Sequence, residues 1–261
     1  MSAAVTVMVA TLRLAIYYGY PTLVDGAGGD LDRAAAAFAR YDVLVFGDGL
    51  ELDAATTADP GLQRERTALP ELISRLRRLR RDAEVFGYID LGSTQQLTLD
   101  EVARRIDCWR SAGADGIFFD EAGSDFGVTA ERRQAAVAAV HGRGMRVFMN
   151  AFVADNLFED DTHAPGAARL DSADAVLLES LVVRNGQREP AEETSRRLAN
   201  AQQWRDRRGV RVFGVATGGD RPFDRALFDE AWTAAAAAKL DGFGWGERGF
   251  SADSRLPWRS R

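Results

Sequence analysis

The sequence predicts an α/β fold, a (β/α)8 TIM barrel, as a single domain over residues 1 to 261. Three observations carry the prediction. Short β-rich runs alternate with longer Ala- and Arg-rich helical segments almost from end to end. Eight such runs can be counted, and each is nearly continuously apolar, as parallel strands covered by an outer layer of helices require. The length of 261 residues suits eight βα units. A doubly wound open sheet would instead need a phosphate-gripping glycine fingerprint after its first strand, and "YYGYPTLVDGAGGD" does not supply one in frame.

In chain order the strands are "RLAIYYGYP" (13 to 21), "YDVLVFGDG" (41 to 49), "AEVFGYIDLG" (83 to 92) and "ADGIFFDEAG" (114 to 123). They continue with "MRVFMNAF" (145 to 152), "ADAVLLESLV" (173 to 182), "VRVFGVATGG" (210 to 219) and "LDGFGWGERG" (240 to 249). Helices are expected over Asp30 to Arg40, Leu69 to Arg80, Thr98 to Ala112, Thr129 to His141, Pro190 to Arg208 and Asp224 to Lys239. Thr98 with Glu101 three residues later has capping-box spacing. The connection around 155 to 169 has the weakest helical pattern of all.

Composition narrows the partners. With 46% hydrophobic and 28% charged residues the chain is ordinary for a globular protein. Its net charge of -6 gives no global attraction for nucleic acid or anionic lipid. The basic piece "RLRRLRRD" (75 to 82) reads as the solvated face of a helix. Lone Cys108 cannot form an internal disulfide, so cysteines say nothing about compartment. The apolar start lacks a basic n-region and is interrupted by Arg13, which reads as neither signal peptide nor membrane span.

In such a barrel the working groups sit at the C-terminal ends of strands. Those ends carry Tyr18 and Tyr20, Asp48, Tyr88 and Asp90, Asp120 and Glu121, Asn150, Glu179, then Trp245 and Glu247. The mouth is therefore acidic and aromatic. Several chemistries are excluded. The only lysine, Lys239, closes a helix, so no Schiff-base nucleophile is available. His141 and His163, the only histidines, do not form a histidine-rich metal site. No strand-end Cys or Ser is paired with a base. Carboxylate chemistry remains, and no cofactor is called for.

Paired carboxylates with aromatic faces and no metal-binding histidines suit glycoside hydrolysis. One carboxyl protonates the leaving oxygen while a second attacks the anomeric carbon or activates water. Alternation puts Phe118 and Asp120 on one side of their strand and Phe119 and Glu121 on the other, so one carboxylate faces the axis. Glu179 follows the wholly apolar "AVLL", where burial raises a carboxyl pKa as a general acid needs. Tyr18, Tyr20, Tyr88 and Trp245 are expected to stack on sugar rings, with Asp48, Asp90, Asn150 and Glu247 contacting substrate. Two other readings stay open. One is a metal-dependent lyase or isomerase holding magnesium on Asp90, Asp120, Glu179 and Glu247. The other is a non-catalytic carbohydrate-binding barrel.

The stretch "FGYIDLGSTQQLTLDEVARRIDCWRSAGADGIFFDEAG", with the early "YYGYP", resembles the spherulin-4-like glycoside hydrolases (family 135). More distantly the chain is similar to the endo-α-1,4-polygalactosaminidases (family 114). The good match spans roughly 85 to 123, and "DLGSTQQ" departs from that family's threonine, glycine and arginine pattern. The resemblance implies hydrolysis of an α-1,4-linked galactosamine-containing polysaccharide such as galactosaminogalactan. It implies Asp120 as nucleophile or transition-state stabiliser, Glu179 as general acid/base, Glu121 as an orienting group, and retention of configuration. It also implies an extracellular setting.

Overall fold

The structure, a computed structural model, describes residues 11–47, 49–51, 58–158 and 168–246. Ten strands occur among them. They are β1 (Leu12–Tyr17), β2 (Val43–Phe46), β3 (Glu84–Asp90), β4 (Gly116–Asp120), β5 (Arg146–Asn150), β6 (Ala175–Leu178), β7 (Val183–Arg184), β8 (Gln187–Arg188), β9 (Arg211–Thr217) and β10 (Gly242–Gly246). Eight of them pair in parallel as a closed barrel, each beside its neighbour in sequence, with β6 next to β9 and β10 closing onto β1. This is a (β/α)8 barrel with all eight expected strands in place. The other two, β7 and β8, form an antiparallel hairpin after β6. Its turn is Asn185-Gly186, both at positive φ, the dipeptide signature of a tight hairpin.

Around the barrel lie α1 (Leu31–Phe38), α2 (Pro60–Leu79), α3 (Leu99–Ala112), α4 (Ala130–His141), α5 (Ala191–Arg208) and α6 (Arg225–Ala237). Each expected helix is present, and the Thr98–Glu101 capping box forms in both directions. One boundary differs. α2 begins nine residues before Leu69, because Asp59 caps it through the Gly61 and Leu62 amides, and Pro70 is carried inside the helix instead of starting it. Between β5 and β6 the described residues hold only a 3-10 turn, Ala154–Leu157, in place of a helix.

Strand alternation divides the apolar residues in two. Phe86, Phe118, Phe148 and Phe213 fill the barrel interior with Leu14, Val43 and Leu177, while Phe119, Val147 and Val212 face the helices. On β10 the inward positions are glycines. A Cβ on Gly242 would lie 2.2 Å from the Phe213 ring, so the phenylalanine occupies space that the strand leaves open. Below the aromatic layer, Glu84 is clamped by Arg146 at 2.9 Å and by both terminal nitrogens of Arg211 at 2.8 Å. This closes the bottom and leaves the polar interior at the other end.

A fourfold device ties the bottom together. Asp42, Asp115, Asp174 and Asp241 immediately precede β2, β4, β6 and β10. Each accepts a hydrogen bond from the backbone N–H of the preceding barrel strand, at Arg13, Val85, Val147 and Val212, all at 2.7 to 2.8 Å. Each is also met by a cationic or imidazole side chain: Arg80, Arg77, His141 and Arg205 respectively. The basic run 75 to 82 is thus only partly a solvated face. Arg77 and Arg80, at the C-terminal end of α2, reach Asp115 and Asp42 in this lattice.

Candidate active site

At the C-terminal end the inward positions of β3, β4, β5 and β6 converge as Tyr88 and Asp90, Asp120, Asn150 and Glu179. Asp90 and Asp120 stand directly opposite each other in register. The centre of the cluster is Asn150, buried on β5. Its Nδ2 donates to Asp120 Oδ1 at 2.8 Å and also to Glu179 Oε1. Two acceptors of one nitrogen lie within about 6 Å of each other whatever the angle between them. The structure therefore brings Asp120 and Glu179 together across β5, with an amide between them.

The two carboxyls are not equivalent. Asp120 accepts from Asn150, from the Glu121 N–H at 2.9 Å and from the Tyr88 side chain. Burial nonetheless raises its pKa above the usual aspartate value. Glu179 has one side-chain donor, Asn150. Burial, with the Asp120 charge adding to it, pushes the Glu179 pKa up to about 7, against the Asn150 hydrogen bond and the more distant positive charges of Arg197 and Arg184. When one proton is available to the pair, it goes to the carboxyl with fewer donors, which is Glu179.

The neighbours fall into place by alternation. Glu121 ends the strand at φ 52 and turns its side chain away from the axis. There it accepts from Thr94 Oγ1 at 2.6 Å and from the Thr94 N–H at 3.3 Å. Its backbone amide donates to Asp120, and its charge adds to the rise in the Asp120 pKa. Asp90, 1% exposed, accepts from the Gly92 N–H at 2.7 Å and the Gln95 N–H at 3.2 Å, and so shapes the loop that carries Thr94. Burial and the Glu121 charge raise the Asp90 pKa to about 6. Tyr18 and Tyr88 meet edge to face at 5.1 Å inside the mouth. Gly47 makes room for them, since a Cβ there would lie 2.4 Å from Tyr88 Cβ.

Two expected aromatic contacts are not with the mouth. Trp245 lies between two inward glycines of β10 and so points outward, where it packs against Phe223 and Phe228 at 5.6 and 5.9 Å. Tyr20, past the end of β1, donates its hydroxyl to Asp59 Oδ2 at 2.9 Å and joins the rim to the N-terminus of α2. Asp48 and Glu247 lie outside the described residues. Thr94 and Arg197 carry no signal in the sequence. Thr94 sits in a polar loop with no motif, and Arg197 is one arginine of several on α5. Nothing local in the chain marks either.

The mouth carboxylates do not converge on one point as a cation site among the described residues. The grouping that does comprises His141, Asp171 and Asp174, whose ligand atoms lie within 4.8 Å of one another at the opposite end of the barrel. There both Asp174 oxygens are already engaged by the Val147 and Asp171 amides at 2.7 and 2.9 Å. That grouping belongs to the bottom lattice. No helix among the described residues is long and apolar enough to cross a membrane.

No family model matches the chain, and no curated protein matches it. Solved structures do. The glycoside hydrolase domain of PelA from Pseudomonas aeruginosa is 16% identical over 94% of this chain and 99% of that domain, with a TM-score of 0.51. The dihydropteroate synthase of Xanthomonas albilineans is 14% identical over 92% of this chain and 88% of that one, also at 0.51. An oxaloacetate acetylhydrolase is 13% identical over 90% and 75%, again at 0.51. At these identities the likeness is one of fold. The chain shares its barrel with a glycoside hydrolase domain and with barrel enzymes of other chemistries.

Proposed function

We propose that the protein is a retaining glycoside hydrolase acting on an α-1,4-linked, galactosamine-containing polysaccharide. The observation that carries this reading is the pair of mouth carboxyls hydrogen bonded to the single Asn150 amide, one of them holding a proton near neutral pH. In this mechanism Glu179 gives its proton to the glycosidic oxygen as the bond to the leaving sugar breaks. Asp120, its charge held by three donors, closes on the anomeric carbon from the other face. Glu179, now ionised, takes a proton from the water that releases the sugar. The separation implied by a shared nitrogen favours direct attack. Inverting enzymes keep their carboxyls roughly 6.5–9.5 Å apart to admit a water.

An amino sugar fits the electrostatics. Asp90, Asp120 and Glu121 concentrate negative charge at the mouth, which attracts a protonated amine and stabilises the oxocarbenium-like transition state. Tyr18 and Tyr88 offer aromatic surface to a sugar ring. A polysaccharide of this kind goes with work outside the cell.

The test is a digest of acetylated and deacetylated galactosaminoglycans, with reducing ends counted and products weighed by mass spectrometry. Asp120→Asn and Glu179→Gln should each abolish release while the protein still melts cooperatively. Retention of activity by both variants would remove the assignment.

A further inference from the structure

The backbone that leaves Glu179 is gripped from outside the barrel. Arg197 on α5 donates from Nη2 to the Glu179 carbonyl oxygen at 2.5 Å, and its Nη1 lies 3.5 Å from the Ser180 carbonyl oxygen. Between them the chain turns through unusual conformations. Ser180 has φ 48 and Val182 has φ 66. A β-branched residue rarely occupies the left-handed region, and such strained positions persist only when their surroundings hold them. Here the Leu181 N–H donates to the Val215 carbonyl and the Glu189 N–H to the Val182 carbonyl, each at 2.8 Å. Arg197 supplies the remaining hold, on the residue that carries the carboxyl.

Arg197 is free to do so because it forms no ion pair among the described residues. Its neighbours are spent: Arg196 pairs with Glu193 and Arg184 with Glu189, both at 2.7 Å. We infer that Arg197 is a positioning residue for Glu179, bracing the left-handed turn through which that carboxyl is aimed into the mouth. This rests on the reading of Glu179 as acid/base given above.

The same guanidinium acts on the carboxyl through space. The groups facing Glu179 are Asp120 from β4, Asn150 from β5, Arg184 from the β7–β8 hairpin and Arg197 from α5, and the last two lower its pKa. A cavity of about 130 Å³ lined by Phe152, Arg184, Arg197 and Asn200 runs beside the guanidinium. It gives a small cation a way in if the side chain is cut back.

The experiment needs no substrate for its first readout. Glu179 is titrated by NMR in full-length protein carrying ¹³C-glutamate, as wild type and as Arg197→Gln, Arg197→Lys and Arg184→Gln. Loss of the charge in Arg197→Gln should move the Glu179 midpoint up by about half a unit or more. Arg197→Lys keeps the charge and should move it less, though it loses the planar fork. Arg184→Gln should shift the midpoint without loosening the turn. The second readout is turnover of the digested polysaccharide. There Arg197→Gln should lose about tenfold or more in kcat with KM little changed, Arg184→Gln should lose far less, and guanidinium ion should restore part of the activity of Arg197→Ala. An unchanged Glu179 midpoint in folded Arg197→Gln, or an unchanged kcat, overturns the inference. If Arg197→Gln does not fold, Arg197→Lys decides by turnover, since it loses the two-pronged hold on the turn, and an unchanged kcat there overturns the inference. Wild-type activity in Glu179→Gln would overturn the acid/base reading instead, and the titration would still show whether Arg197 acts on Glu179.

Discussion

Glu179→Gln should stabilise the protein, and by an amount that depends on pH. The carboxyl is pushed from its ordinary 4.5 up to about 7 in the folded chain, chiefly by burial. Between those values the native state holds a proton that the unfolded state has released. The contribution of Glu179 to stability is therefore most favourable below about pH 4.5, falls as pH rises through 7, and is flat beyond that. The full displacement corresponds to about 3 kcal/mol. Glu179 is partly open to solvent, so about 2 kcal/mol is the expected effect after screening. Glutamine has nearly the same shape, stays neutral and still accepts from Asn150. At about 2–4 °C per kcal/mol for a chain of this size, the variant should melt about 4–8 °C above wild type at pH 8 and level with it at pH 4.5. Thermal melts across that range, followed by circular dichroism, measure the difference directly. A difference that does not change with pH, or a variant less stable than wild type at pH 8, would refute the assignment of a buried, proton-holding carboxyl to this position.

Hydrolysis rates should fall on the alkaline side with an apparent pKa near 7, the value of Glu179, and a kcat profile flat from pH 6 to 9 would contradict its role as acid. Asn150→Ala removes the donor shared by Asp120 and Glu179. Because hydrogen bonds to charged groups are worth about 1.5–3 kcal/mol, it should cost about 10- to 100-fold in kcat and raise the Glu179 midpoint, as rate measurements and NMR titration would show. Asp174→Ala orphans the Val147 and Asp171 amides at the far end of the barrel. It should destabilise by about 3 kcal/mol in urea unfolding while kcat at a permissive temperature stays at wild type. Gly47→Ala places a Cβ 2.4 Å from Tyr88. A cost of about 1–3 kcal/mol and weakened oligosaccharide affinity should follow, measurable by melting and calorimetry.

How the site is read from the chain depends on which residues speak locally. The run "GIFFDE" is informative because a strand's alternation is strict: Phe118 inside and Phe119 outside leave no choice for Asp120. The same rule applied to the last strand, β10, corrects Trp245, which alternates with inward glycines and so must face the helices. Asn150 was legible as a polar strand end, but its place between two carboxyls was not. That place depends on β5 lying between β4 and β6 in the closed ring.

What the sequence by itself determined is the barrel and the direction of its chemistry. Eight apolar runs that end in polar groups, with capped helical segments between most of them, can bury their faces in few other ways. What only the tertiary structure decided is how residues far apart in the chain divide the work. Glu179 keeps the proton because Asp120 takes three hydrogen bonds and Glu179 one, and Arg197 reaches Glu179 from a helix 18 residues further on. The aspartates before β2, β4, β6 and β10 find their partners in strands and helices elsewhere in the barrel. The physical reason is one of range. Periodicity and capping act over a few residues along the chain, whereas desolvation, shared donors and charge act through space and exist only once the barrel has closed.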